Sequence, residues 1–166
     1  ITISNASVTF QSTAAGFTAS GNSGTINLPG LALVGSGNKA GMLISGGGTI
    51  NVNAGAANPS INLSGGTAAT SRAIDGTTAA FTGTLNLTNV TITGNANADI
   101  VTLGGGTLGG TGSTISGAQR ALVLSGVALT NGAGMTSIAS TGGANGISLT
   151  NVTGGPYTIS GGSLAP

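Results

Sequence analysis

Six side chains in this chain of 166 residues can gain or lose a proton: Lys39, Arg72, Asp75, Asp99, Arg120 and Tyr157. The two carboxylates are the minimum equipment for acid–base cleavage of a glycosidic bond. In that chemistry one carboxyl protonates the leaving oxygen while the other acts as base or nucleophile. Little else is within reach. The sequence holds no histidine and no cysteine, so no imidazole can activate a nucleophile and no disulfide can brace the fold. A calcium ion wants six or more oxygen ligands, more than Asp75 and Asp99 bring. Asp75 falls in an irregular stretch and Asp99 just ahead of a strand-like run, positions that suit solvated corner residues. The expectation is a chain that is not an enzyme, with no catalytic, cofactor-binding or metal-binding residue.

Composition narrows the partners. Charged residues make up 3% of the chain and the net charge is +1. Nucleic acid is held by several phosphate-neutralising cations, so no nucleic-acid partner is expected. The glycine-rich stretch "GSGNKAG" at 35–41 lacks the spaced Gly-Lys-Ser/Thr signature of a phosphate-cradling loop. No apolar run approaches the ~20 residues of a membrane-spanning helix, so no membrane insertion is expected of this segment. A mean hydropathy of +0.40 and periodic apolar residues set the chain apart from disordered ones, which combine high charge with low hydrophobicity. The start at Ile1, without a methionine, suggests a processed product or a piece of something larger.

The elements that must carry these residues are strands. In "GTLNLTNVTITG", residues 83–94, Leu85 and Leu87 alternate with polar residues, the pattern pauses at Thr88-Asn89, and alternation resumes through Val90-Thr91-Ile92-Thr93. Period-2 alternation marks half-buried strands, here two of them joined by a tight corner. The pattern recurs along the chain. Ile92 is matched by Ile115, Ile138 and Ile159, and the other strand of the pair by Ile3, Leu28, Val52, Leu87, Leu108, Leu129 and Val152. These form the expected core ladder. Two residues after each of the seven stand Asn5, Gly30, Ala54, Asn89, Gly110, Asn131 and Gly154. All but Ala54 are Asn or Gly, the types that tolerate a left-handed backbone best; Gly55 can take the role at Ala54 through a shift of one. A third apolar run precedes each pair: "GFTAS", "GMLIS", "RAID", "DIVTL", "RALVL" and "GISL".

Three short strands per repeat of 21–25 residues predict an all-β solenoid of about seven turns without helices, with each turn stacked on the last. The chain reads as a single solenoid segment over 1–166. The 35-residue interval from Val52 to Leu87 must hold a long excursion or an extra partial turn. Arg72, Asp99 and Arg120 each stand directly before a strand in successive turns, so stacking places Asp99 between two arginines. Such a charge ladder would fix register, because a slipped turn sets like charges together. Rows of Thr are expected too, Thr25, Thr49, Thr84 and Thr107 in one and Thr91/Thr93, Thr114/Ser116 and Thr158/Ser160 flanking the isoleucines.

The Asn/Gly corners, glycine-rich loops and Thr/Ser-rich faces resemble the right-handed parallel β-helix. They look most like the passenger stalks of autotransporter and filamentous-haemagglutinin-type bacterial adhesins, over essentially the whole chain. The resemblance implies an extracellular structural module on a bacterial cell surface, a rigid adhesin stalk or an exported fibre. It also implies partners that are flanking repeats, further copies stacked end to end, or a host surface or glycan. Three alternatives accompany it. Open strand edges template further pairing, which suits a self-assembling filament subunit. Threonine rows on a flat face suit an ice-binding protein. Polysaccharide cleavage would have to rest on Asp75 and Asp99.

Overall fold

The computed structural model describes residues 1–11, 14–142 and 145–165. Alternating apolar side chains make short strands, and a glycine, asparagine or loop ends each after a few residues. The first turn is β1 (Ser7–Phe10), β2 (Phe17–Asn22) and β3 (Thr25–Pro29), and the second is β4 (Ala32–Gly35), β5 (Met42–Gly46) and β6 (Thr49–Asn53). The third is β7 (Ser60–Asn62), β8 (Ile74–Gly76) and β9 (Thr84–Leu87), followed by β10 (Thr91–Thr93), β11 (Val101–Leu103) and β12 (Thr107–Gly109). The fifth is β13 (Ser113–Gly117), β14 (Leu122–Ser125) and β15 (Ala128–Leu129), and the sixth is β16 (Gly134–Ser140), β17 (Ile147–Thr150) and β18 (Thr153–Gly154). β19 (Thr158–Ile159) and β20 (Gly162–Leu164) both pair with the long β16.

Corresponding strands of successive turns pair in parallel to give three sheets. The first holds β1, β4, β7, β10, β13, β16, β19 and β20; the second β2, β5, β8, β11, β14 and β17; the third β3, β6, β9, β12, β15 and β18. The protein is therefore a parallel β-solenoid of six turns with three strands per turn, and among the described residues it has no helix. The expected seventh turn is incomplete. At the start only an isolated bridge from Thr2 to Asn27 forms, and at the end only β19 and β20.

The interior is a set of aliphatic columns. Leu33, Ile61, Ile92, Ile115 and Ile138 follow one another in register through the first sheet and are all buried. In the third sheet Leu28, Val52 and Leu87 form one column and Ile26, Ile50, Leu85, Leu108 and Leu129 another. A fully buried aliphatic side chain contributes roughly 1.5–3 kcal/mol.

The expected ladder differs from these columns at four places. Leu108 stands opposite Leu85, two residues before Leu87, because both leucines point inward and the shorter β12 meets the first of them. Leu129 is followed by Gly154, which sets Val152 against the buried Val127. Ile159 pairs with Met135 while Gly162 takes the place opposite Ile138, because β16 is long enough to receive two strands. Ile3 and Ile159 lie in the terminal coils, packed on one side only, and are 41% and 39% exposed.

The corners follow backbone strain. Asn5, Gly30, Asn89, Gly110 and Gly154 have positive φ, whereas in the fifth turn Gly132 takes the left-handed conformation in place of Asn131. A glycine next door has no Cβ to obstruct it, so the strain moves there. Neither Ala54 nor Gly55 has positive φ; there the Gly55 N–H donates to the Ala57 carbonyl, 3.0 Å.

The 35-residue interval is one turn with enlarged connections, not an added turn. Residues 63–73 form a loop between β7 and β8, and residues 77–83 a second between β8 and β9.

Candidate functional site

The enlarged loop is fixed from both sides by polar side chains. Ser71 Oγ donates to the Gly37 carbonyl (2.7 Å) and Thr70 Oγ1 to the Asn38 carbonyl (3.0 Å), tying it to the loop of the preceding turn. From the following turn the buried Asn95 donates through Nδ2 to the carbonyls of Ala68 and Ser71, at 3.2 and 3.1 Å. Asn95 Oδ1 in turn accepts the N–H groups of Asn97 and Ala98, both at 2.7 Å. Buried amides hold only when their donors and acceptors are used, and Asn95 uses both ends. The sequence offered one signal for it, an Asn two residues before Asn97 in a loop rich in small residues, and that pattern alone does not name a clamp.

This loop contributes Thr70 and Arg72 to the wall of an open cleft of about 290 Å³ on the outer face of the second sheet, bordered also by Asn38, Lys39, Leu43, Asp75 and Thr78. Asp75, expected as a solvated corner, is only 5% exposed. It stands mid-strand on β8, where Arg72 and the 77–83 connection enclose it. Its Oδ1 accepts the Thr77 N–H (2.9 Å), the Thr77 hydroxyl (2.7 Å) and the Thr78 N–H (3.3 Å). Its Oδ2 accepts the Thr78 hydroxyl (2.8 Å) and Arg72 Nη1 (3.1 Å). Burial pushes the carboxyl up, but the hydrogen bonds from Thr77 and Thr78 and the Arg72 charge outweigh it, and the net shift is below the ordinary carboxylate range.

Asp99 and Arg120 meet across adjacent turns as a bidentate pair, Nε to Oδ1 at 2.8 Å and Nη2 to Oδ2 at 2.7 Å. The Asp99 hydrogen bond raises the Arg120 pKa. Arg72 takes no part, so the three-membered charge ladder reduces to this pair. A carboxylate three residues along its own chain captures the Arg72 guanidinium first. The two carboxylates of the enzyme alternative thus occupy separate ion pairs, each engaged by its own arginine. Tyr157 packs against the core, and burial pushes its hydroxyl up to about 12, so it stays neutral.

The threonine rows are partly as expected. Thr25, Thr49, Thr84 and Thr107 stand in register along the third sheet, followed by Ala128. On the first sheet Thr91 and Thr93 meet Thr114 and Ser116, then Ser137 and Ala139, while on the other side they meet Ser60 and Asn62. Thr158 stands opposite Gly134 and lies outside that row. Beside the Thr row of the third sheet runs an asparagine ladder that the repeat spacing carried unremarked. Asn51 Nδ2 donates to Asn27 Oδ1 and Asn86 Nδ2 to Asn51 Oδ1, each at 2.8 Å.

No family model, no curated protein and no solved structure matches the chain. Among the described residues no three His, Cys, Asp or Glu side chains gather as a metal site would need, and no helix is long and apolar enough to cross a membrane.

Proposed function

We propose that this chain is a structural module, a rigid β-solenoid segment of a cell-surface stalk or an exported fibre. The observation that carries this reading is the continuity of the sheets. Each middle turn is paired on both sides in all three sheets around an aliphatic core, an arrangement in which every repeat braces its neighbours and load passes along the axis. With 3% charged residues and a net charge of +1, the rod is nearly neutral along its length. Antibody raised against the folded protein should label intact source cells. Label that appears only after permeabilisation would overturn the surface location. A broad-specificity protease at native conditions should leave the middle turns uncut, and prompt cleavage within them would count against the rigid rod.

A second reading, stacking of copies end to end, has its own support. Among the described residues six large hydrophobic side chains are exposed, and five of them (Ile1, Ile3, Leu149, Ile159 and Leu164) lie in the end coils, where unpaired strand edges invite a further coil. Head-to-tail contacts of this kind build open filaments. Electron micrographs of the purified chain would separate the two: rods many molecules long support stacking, and short single rods at all concentrations exclude it.

A further inference from the structure

Half of the ionisable side chains line one cleft, and the charge there is not balanced. The sequence has three side-chain cations and two carboxylates. Asp75 is taken by Arg72 and Asp99 by Arg120, which leaves Lys39 as the side-chain cation without a carboxylate beside it among the described residues. Lys39 borders the same 290 Å³ cleft as Arg72 and Asp75. The Asp75 oxygens already accept five donors, so this carboxylate has little left to offer a ligand. What the cleft presents is positive charge and N–H groups. Asn38 adds an amide whose oxygen is engaged by Thr67 Oγ1 at 2.8 Å, leaving its N–H groups to donate. Arg72 Nη1 is spent on Asp75 Oδ2 (3.1 Å) and Thr77 Oγ1 (2.9 Å) and Nε is buried, which leaves Nη2 as the uncommitted donor of that guanidinium.

We propose that this cleft binds a small carboxylate. Lys39 supplies the uncompensated charge, and Arg72 and Asn38 supply N–H donors for the bound oxygens, the cationic ones as charge-assisted hydrogen bonds. One free positive charge matches a monoanion; a doubly charged phosphate would bring surplus negative charge against buried Asp75. The volume lies at the lower edge of the roughly 300–1,000 Å³ of small-molecule sites, so the ligand is no larger than a single acidic sugar or a comparable free acid. The loop that carries Thr70 and Arg72 belongs to the irregular interval of an otherwise regular repeat, and insertions on a constant scaffold are where binding residues concentrate. The inference does not depend on the chain being a stalk.

The test is an NMR titration of the whole chain with sodium acetate, sodium glucuronate, glucose and inorganic phosphate at constant low ionic strength. Both carboxylates should shift the amides of residues 38–43 and 70–78 saturably at millimolar concentration, and glucose should not. Tighter binding of glucuronate assigns the carboxylate to a sugar, and equal binding to a free acid. Lys39→Glu should weaken binding by about tenfold or more with the melting temperature unchanged, and Lys39→Arg should retain it. Arg72 is left in place because it also holds Asp75. Any of four results would overturn the proposal: no saturable shift from either carboxylate, glucose binding as well as glucuronate, phosphate binding more tightly than both, or unchanged affinity in Lys39→Glu.

Discussion

Gly110 has φ +95°, and a Cβ added to it would run into the Leu87 carbonyl oxygen of the turn before. Two penalties therefore fall on Gly110→Ala, the left-handed strain of an L side chain at about 1–3 kcal/mol and the displacement of a neighbouring strand. Chemical denaturation should show a loss above that range. A midpoint within a few tenths of the parent would mean the corner is free to relax. Asp75 gives the contrasting case, a residue held by polar contacts. Asp75→Asn removes the charge that Arg72, Thr77 and Thr78 surround, at a cost of about 1–3 kcal/mol at neutral pH. The folded-state pKa of Asp75 lies below the ordinary value. Its stabilisation is therefore complete above the ordinary carboxylate range and is lost as the pH falls through the depressed value. Parent and Asp75→Asn stabilities should converge in acid, and a gap that stays constant with pH would assign the effect to shape instead of charge. The corner requirement could be read from the repeated Asn and Gly. The burial of Asp75 could not, because it arises from an irregular loop folding over a strand, and nothing local in "RAIDGTTAA" states what will cover it.

At the scale of strands, the sequence named the elements better than their register. The six third-strand runs, from "GFTAS" to "GISL", each coincide with a strand of the second sheet, since alternation and turn residues are local signals. Register is not local. Leu85 and Leu87 both face the core, so spacing alone cannot say which of them meets Leu108; the shortened β12 decides it. The doubled partner of β16 displaces Ile159 in the same way. Asn27, Asn51 and Asn86 supply a register signal that aliphatic columns lack, because a slip of one residue would turn the amides inward and break both 2.8 Å hydrogen bonds. Asn51 is the middle member and takes part in both. Asn51→Ala should therefore cost about 1–3 kcal/mol, the sum of two modest hydrogen bonds, while Asn27→Ala, which loses one strong partner, should cost about half as much. Equal losses in the two variants, measured by thermal unfolding, would show that the ladder is not the cause.

For the whole molecule, a solenoid's stability is the sum of what each turn gains from its two neighbours, so it is not uniform along the axis. Ile92 lies in the fourth turn, fully buried, with Ile61 on one side and Ile115 on the other. Ile159 has Met135 on one side only and is 39% exposed. Ile92→Ala should cost about 2–5 kcal/mol through lost transfer energy and a cavity that coils on both sides prevent from collapsing. Ile159→Ala should cost less than half of that, since its site opens to solvent. Hydrogen exchange carries the same expectation along the backbone. The Thr91 and Val101 amides, bonded to the Pro59 and Ala121 carbonyls, should exchange slowest. Among hydrogen-bonded amides those of Ile3 and Ser160, bonded to Asn27 and Met135, should exchange fastest, because the end coils can peel away without opening the middle. If lengthening the rod by stacking covers the ends, the fast-exchanging set should shrink as protein concentration rises. A profile that stays graded at every concentration would mean that the coils at the ends find no partner in a second copy.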